Sequence, residues 1–194
     1  MVVNLKDLPR RYYTLEEYFA LERAGEARYE YWSGEIVCMS GGSQQHAIIS
    51  RNIIINIGQQ LAGGRCQAFT SDMAVKTPSL PPYRYPDLSA VCGQPIFESV
   101  EGIAVLTNPI LIVEVLSPGT ESRDRNEKRT AYQAIPSFQE YILIAQDAPH
   151  ITHYLKQNEL WSRNDYADLK TVIVLPSAGC RLSLGEVYHG VEFE

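Results

Sequence analysis

Isoleucines recur at every fourth position after Gln45, at 49, 53 and 57, and Leu61 completes the stripe; that spacing predicts a helix over Gln45 to Leu61 with one buried face. Gly63-Gly64 stops it. Upstream, Thr14-Leu-Glu-Glu17 has the form of a capping box and starts a short helix that runs to about Arg23 and ends near Gly25. Between these helices, Tyr29 to Met39 reads as two strand segments around a Ser33-Gly34 turn, a hairpin.

Beyond Gly64 the pattern turns to strands. Cys66 to Thr70 and Met73 to Lys76 come first, then a Pro-rich loop from Pro78 to Tyr85, then a strand from Asp87 to Val91. Ile96 to Asn108 reads as irregular. Ile110 to Leu116 is apolar on both faces, the mark of a strand in a sheet interior covered on each side. Ser117 to Thr120 makes a turn and a helix follows from about Glu121 to Ala134, ended by Pro136, which disfavours helical geometry at Ile135. Further strands are expected over Phe138 to Ala145, His150 to Lys156, Leu160 to Arg163 and Thr171 to Leu175. An Asn158-containing turn joins the second and third, and Arg181 to Val191 has room for one short helix or strand. Helix, hairpin, helix, strands, helix, strands is an α+β order with a mixed central sheet.

One residue breaks the apolar pattern of Ile110 to Leu116. Glu114 sits in the middle of it, and a carboxylate buried there without a partner costs several kcal/mol, against a typical domain stability of roughly 5–15 kcal/mol. It therefore needs an arginine or lysine, a proton of its own, or a metal ion shared with another acid. Asp87, after Pro86 at the head of an earlier strand, is the candidate second acid. On the helix after Glu114, Asp124, Lys128 and Tyr132 are spaced four apart and share one face. If that helix packs back over its parent strand, the long stem of Lys128 brings its ammonium to Glu114.

Composition narrows the field. The chain of 194 residues suits one sizeable core, and two tryptophans with twelve tyrosines argue for a packed globule rather than disorder. The start, Met1 to Arg11, lacks the apolar core of a signal peptide, and no apolar run approaches the roughly 20 residues that span a bilayer. A cytoplasmic protein without membrane contact is expected. Cys38, Cys66, Cys92 and Cys180 lie far apart, which predicts reduced, mostly buried thiols rather than a zinc site or disulfide framework. The net charge of −6 disfavours a nucleic-acid partner, yet four basic residues within Arg123 to Arg129 form a local patch able to meet phosphates, or simply a solvated helix face.

Tyr85-Pro-Asp-Leu88, Ile112-Val-Glu-Val-Leu-Ser-Pro118, the series Asp124, Lys128, Tyr132, and Pro136-Ser-Phe-Gln-Glu-Tyr141 together resemble the Uma-type family of predicted endonucleases, within the PD-(D/E)XK restriction-endonuclease-like superfamily. The resemblance runs from about Tyr13 to Val191. It implies a single restriction-endonuclease-like domain over residues 1–194, with a core over about 13–191, a mixed central sheet flanked by helices, and an N-terminal helix and hairpin. It also implies a metal-dependent nuclease in which Asp87 and Glu114 bind Mg²⁺ or Mn²⁺ and the backbone carbonyl of Val115 completes the shell. The superfamily's usual lysine lies two residues after the second acid, where this chain has Leu116; the resemblance assigns that role to Lys128. Glu35 on the hairpin and His46 at the helix start match family-like positions of second rank.

Other readings stand beside these. Asp87 can cap a turn, Glu114 can pair with an arginine, and His150 and His153, three apart on a strand and so on opposite faces, read as ordinary surface or edge histidines. Gly41-Gly42-Ser43 matches neither a nucleophile elbow nor a phosphate loop. Three functions follow: a DNA endonuclease, with a homodimer expected from fold analogy; a catalytically inactive nuclease-like fold that binds nucleic acid or protein; and a metal hydrolase of small phosphoesters.

Overall fold

The isoleucine stripe forms the longest helix and covers one face of the central sheet. The computed structural model describes residues 12–25, 27–39 and 41–193; the reading of Met1 to Arg11 as free of a signal-peptide core concerns a stretch outside the described residues. Helix α1 (Leu15–Ala24) leads into the hairpin β1 (Tyr29–Trp32) and β2 (Glu35–Cys38), followed by α2 (Gln44–Leu61). Then come β3 (Cys66–Thr70), β4 (Ala74–Lys76), β5 (Tyr83–Arg84), β6 (Leu88–Cys92), β7 (Phe97–Val100), β8 (Ile103–Leu106) and β9 (Leu111–Leu116). A helical run follows, made of α3 (Glu121–Arg123), a π-helical turn over Asp124–Lys128 and α4 (Arg129–Gln133). After it stand β10 (Glu140–Ala145), β11 (Ile151–Gln157), β12 (Leu160–Tyr166), β13 (Val172–Leu175), β14 (Cys180–Ser183) and α5 (Leu184–Val187). No helix among the described residues is long and apolar enough to cross a membrane.

Local chemistry sets the boundaries. The Thr14 hydroxyl accepts the Glu17 amide at 3.2 Å while the Glu17 carboxylate accepts the Thr14 amide at 2.9 Å, which closes the capping box of α1. Ser33 and Gly34 both take positive φ, 47° and 97°, the twist that a two-residue hairpin turn needs. Ser43 caps α2 by accepting the His46 amide at 3.0 Å, and so fixes His46 in the first turn.

The central sheet has the order β12-β11-β10-β9-β6-β3, with β9 and β10 parallel and the other pairs antiparallel. Its period of two divides β9 cleanly. Leu111, Val113 and Val115 face a core shared with Ile49, Ile53 and Ile57 of α2, whereas Ile112 and Leu116 face a second core with Tyr132, Phe138 and Tyr141. Each of the three isoleucines is fully buried, worth about 1.5–3 kcal/mol apiece. A smaller sheet, β5-β4-β8-β7, packs with α1 around Tyr18, Tyr83 and Tyr85.

Four sequence expectations change. Ile96 to Asn108 is a hairpin, β7 with β8, turned by Glu101 and Gly102 at positive φ; its first strand is largely exposed and lacks an apolar alternation. The Pro-rich loop contains β5, paired with β4. Cys66 and Cys92 are not free thiols but disulfide-bonded, because the β3–β6 register sets them directly opposite each other with Cα atoms 3.9 Å apart. His153 is no surface histidine: it is 3% exposed, and its Nε2 lies 2.6 Å from Oε1 of the fully buried Glu140, across the β10–β11 pair. His150 is half-exposed, 3.4 Å from Asp165.

Candidate active site

Strands β6 and β9 run antiparallel with Leu88 opposite Val113, so one further step in the register sets Asp87 opposite Glu114. The link is direct: Oδ2 of Asp87 accepts the Val115 amide at 2.7 Å. Oδ1 of the same carboxylate lies 3.6 Å from Nε2 of His46, delivered by the first turn of α2. The Asp87 carboxylate holds the imidazole above the ordinary histidine value; burial opposes this and the Val115 carbonyl adds a smaller contribution. Asp87 and the Val115 backbone therefore both act on the His46 ring.

Glu114 shares the face of Ile112 and Leu116 and points at the helical run. The Tyr132 hydroxyl donates to its Oε1 at 3.0 Å, and Nζ of Lys128 lies 3.3 Å from the same oxygen. Among the described residues, both donors address Oε1. Lys128 also lies 2.9 Å from Glu30 and 3.0 Å from Asp124. The π-helical turn spans Asp124 to Lys128, and a widened turn of this kind recurs at functional sites. Asp124, Lys128 and Tyr132 all end up buried, 1%, 3% and 0% exposed.

Three carboxylates thus surround one ammonium. Burial pushes the Glu114 carboxyl well above its ordinary value, and Lys128 only partly offsets this. Asp124 is raised for the same reason. Burial alone lowers an ammonium's pKa, but Glu114, Glu30 and Asp124 outweigh it, so Lys128 is held well above the usual lysine range and stays charged.

Sequence reasoning missed part of this cluster. Glu30 is 6% exposed and takes the Trp32 indole N–H at 3.2 Å through its other oxygen. The signal was there in the period of two, which sets Glu30 on the face of Trp32. Arg84 was also missed. It stacks over Trp32 at 5.0 Å, is 5% exposed, and its charge acts on the Tyr132 hydroxyl that donates to Glu114. Arg123 stacks on the same ring at 4.9 Å and pairs with Glu35 at 3.1 Å, so Glu35 belongs to the rim of the site rather than to the acid cluster. His46 is brought to Asp87.

The donor set fits a hard divalent cation. Asp87 and Glu114 each have one oxygen fixed by a protein donor, the backbone of Val115 is bonded to Asp87, and the carboxylates outnumber Lys128. Carboxylate and carbonyl oxygens in a charge-rich setting suit Mg²⁺ or Mn²⁺. Only two acidic side chains take part in this set, and no group of three or more His, Cys, Asp or Glu gathers as a metal cluster among the described residues; water and substrate oxygens complete such shells.

Taken together, the mixed sheet, its flanking helices and the acids at the β6–β9 pair define an α+β protein of nuclease-like fold. Its backbone superposes with a TM-score of 0.66 on a crystal structure from Anabaena variabilis ATCC 29413 described as a "putative nuclease belonging to DUF820", at 19% identity over 84% of this chain and 90% of that one. The chain belongs to the Uma2 family, described as "Putative restriction endonuclease", whose profile matches residues 15–185. It is similar to two proteins of Synechocystis sp. (strain ATCC 27184 / PCC 6803 / Kazusa). "Uncharacterized protein slr1290" is 31% identical over the whole of both chains, and "Uncharacterized protein sll1609" is 34% identical over 74% of this chain and 80% of its own.

Proposed function

We propose that the protein is a metal-dependent endonuclease that hydrolyses DNA phosphodiester bonds, with Asp87, Glu114 and the Val115 carbonyl as ligands of Mg²⁺ or Mn²⁺ and Lys128 as the assisting cation. What supports this reading is the placement of two acids on adjacent strands, where the charge of Asp87 acts on Glu114, with an ammonium 3.3 Å from the second. When bound, the ion supplies Lewis-acid polarisation of the phosphate and a more acidic water. The chain's own residues set the geometry. The Val115 amide fixes Asp87 and the Tyr132 hydroxyl fixes Glu114, so neither carboxylate needs to reorganise. Lys128, held protonated, orients a water and stabilises the charge that develops on the phosphate, a role that needs a cation and not a base. The test is cleavage of supercoiled plasmid with Mn²⁺ by the wild type, Asp87→Ala and Glu114→Ala. Cutting by the wild type and its loss in both variants supports the reading; equal behaviour of all three overturns it.

A second reading, a catalytically silent member of the fold that binds nucleic acid or protein, draws on the enclosure of Lys128 by three acids with a side chain only 4% exposed. Titration with Mn²⁺ in a calorimeter separates the two. One ion lost on mutating either acid supports the metalloenzyme, and no binding by the wild type supports the silent fold.

A further inference from the structure

The helical run that buries Asp124 and Lys128 turns Arg125 and Arg129 towards β11 and β12. Between them lies an open cleft of about 510 Å³, also lined by His150, Tyr154, Trp161 and Arg163. The sequence offered only the helical half of this surface. Arg163 and Trp161 join it because the β11–β12 hairpin pairs Tyr154 with Arg163 and Lys156 with Trp161.

Its arginines are held in place before any ligand arrives. The Arg129 guanidinium stacks over the Tyr154 ring at 5.1 Å and donates to the Arg125 carbonyl at 3.0 Å; Arg163 approaches the same ring at 6.0 Å. Arg125 donates to the Thr152 hydroxyl at 3.3 Å. Two acids neutralise part of the charge: Glu121 pairs with Arg125 at 2.7 Å, and Asp165 pairs with Arg163 at 3.0 Å and lies 3.4 Å from His150. Arg129 pairs with no carboxylate among the described residues, so the cleft keeps a positive excess on a chain of net charge −6. Planar guanidinium forks fixed on an aromatic ring match phosphate oxygens and lose little freedom on binding them. Half-buried Trp161, packed on Phe138 at 5.6 Å, adds an apolar wall of the kind that sugars and bases lie against.

We propose that this cleft binds the phosphodiester backbone of the DNA strand presented to the Asp87–Glu114 site, with Arg129 and Arg163 as its principal contacts. The proposal rests on the nuclease reading for the identity of the strand. A strand is favoured over a free nucleotide because the cleft is open along one side, whereas sites for small molecules enclose most of their ligand. Arg125 and Arg129 lie on the same helical run as Lys128, so the cleft and the assisting lysine are carried by one element.

The experiment is fluorescence anisotropy with an end-labelled DNA oligonucleotide, in EDTA, over a salt series, for the wild type, Arg129→Glu and Arg163→Glu. Each reversal is expected to weaken binding about tenfold or more and to flatten the slope of log affinity against log salt by about one per lost phosphate contact. Arg163 is exposed, so its variant keeps the test valid should Arg129→Glu fail to fold. Wild-type affinity in Arg163→Glu overturns the proposal, as does competition by millimolar inorganic phosphate at fixed ionic strength that displaces the oligonucleotide completely, which marks a single-phosphate site. Plasmid cutting is read in parallel. Loss of DNA binding in the variants without any wild-type cutting removes the nuclease reading and leaves the cleft, whereas cutting with unchanged binding removes the cleft alone.

Discussion

The ammonium of Lys128 lies 3.3 Å from Oε1 of Glu114, delivered by a helix rather than by the strand that carries the acid. The strand position two residues after Glu114 is Leu116, which is packed in the core with Tyr132 and Tyr141. A lysine that arrives from the helix also reaches Glu30 and Asp124, and so becomes the counter-charge for the whole cluster. Removing it leaves buried carboxylates unpaired. Lys128→Met is expected to lower unfolding stability by about 3–5 kcal/mol, read from urea denaturation in metal-free buffer; a change within about 0.5 kcal/mol contradicts the arrangement.

The buried acids give stability a definite pH dependence. The carboxyls of Glu114 and Asp124 are raised by burial, so the folded protein holds protons that the unfolded chain releases. Their contribution is fully present below the ordinary carboxylate range and is lost as pH rises through the raised values. Stability of the metal-free protein should therefore fall as pH climbs from about 4, and Glu114→Gln, which keeps the shape without the charge, should flatten that fall. Lys128 keeps Glu30 and Asp124 as partners in that variant. Thermal melts across the pH series decide the point, and an unchanged profile in Glu114→Gln counts against it.

The pair formed by His153 and Glu140 carries no chemistry in this account and makes a structural prediction. Glu140 is fully buried and shares its other oxygen with the amide and hydroxyl of Ser177. His153→Ala strips one side of that carboxylate and opens a cavity, so a loss of about 3–5 kcal/mol is expected by chemical denaturation. Plasmid cutting at a temperature where the variant is folded should match the wild type. Selective loss of cutting in a folded His153→Ala protein contradicts a purely structural role.

Periodicity made much of this legible in advance. The fourfold spacing of Ile49, Ile53 and Ile57 marked the core helix, and the same spacing of Asp124, Lys128 and Tyr132 put three side chains on one buried face. What stayed hidden depended on register between distant segments. Glu30 meets Lys128 only because the β1–β2 hairpin packs beside the helical run, and Cys66 meets Cys92 only through the β3–β6 pairing. Strand spacing separates His153 from His150, but the residue that decides the place of His153, Glu140, lies diagonally across the β10–β11 pair and is set by register. The hairpin over β7 and β8 escaped because its exposed first strand carries no core-facing alternation.

The most direct measurement is anomalous diffraction from crystals grown with Mn²⁺. A peak is expected between Asp87 and Glu114, bound by an oxygen of each and by the Val115 carbonyl at about 2.1 Å, with Lys128 still beside Glu114. A peak elsewhere, or saturating Mn²⁺ with no peak at these two carboxylates, would contradict it.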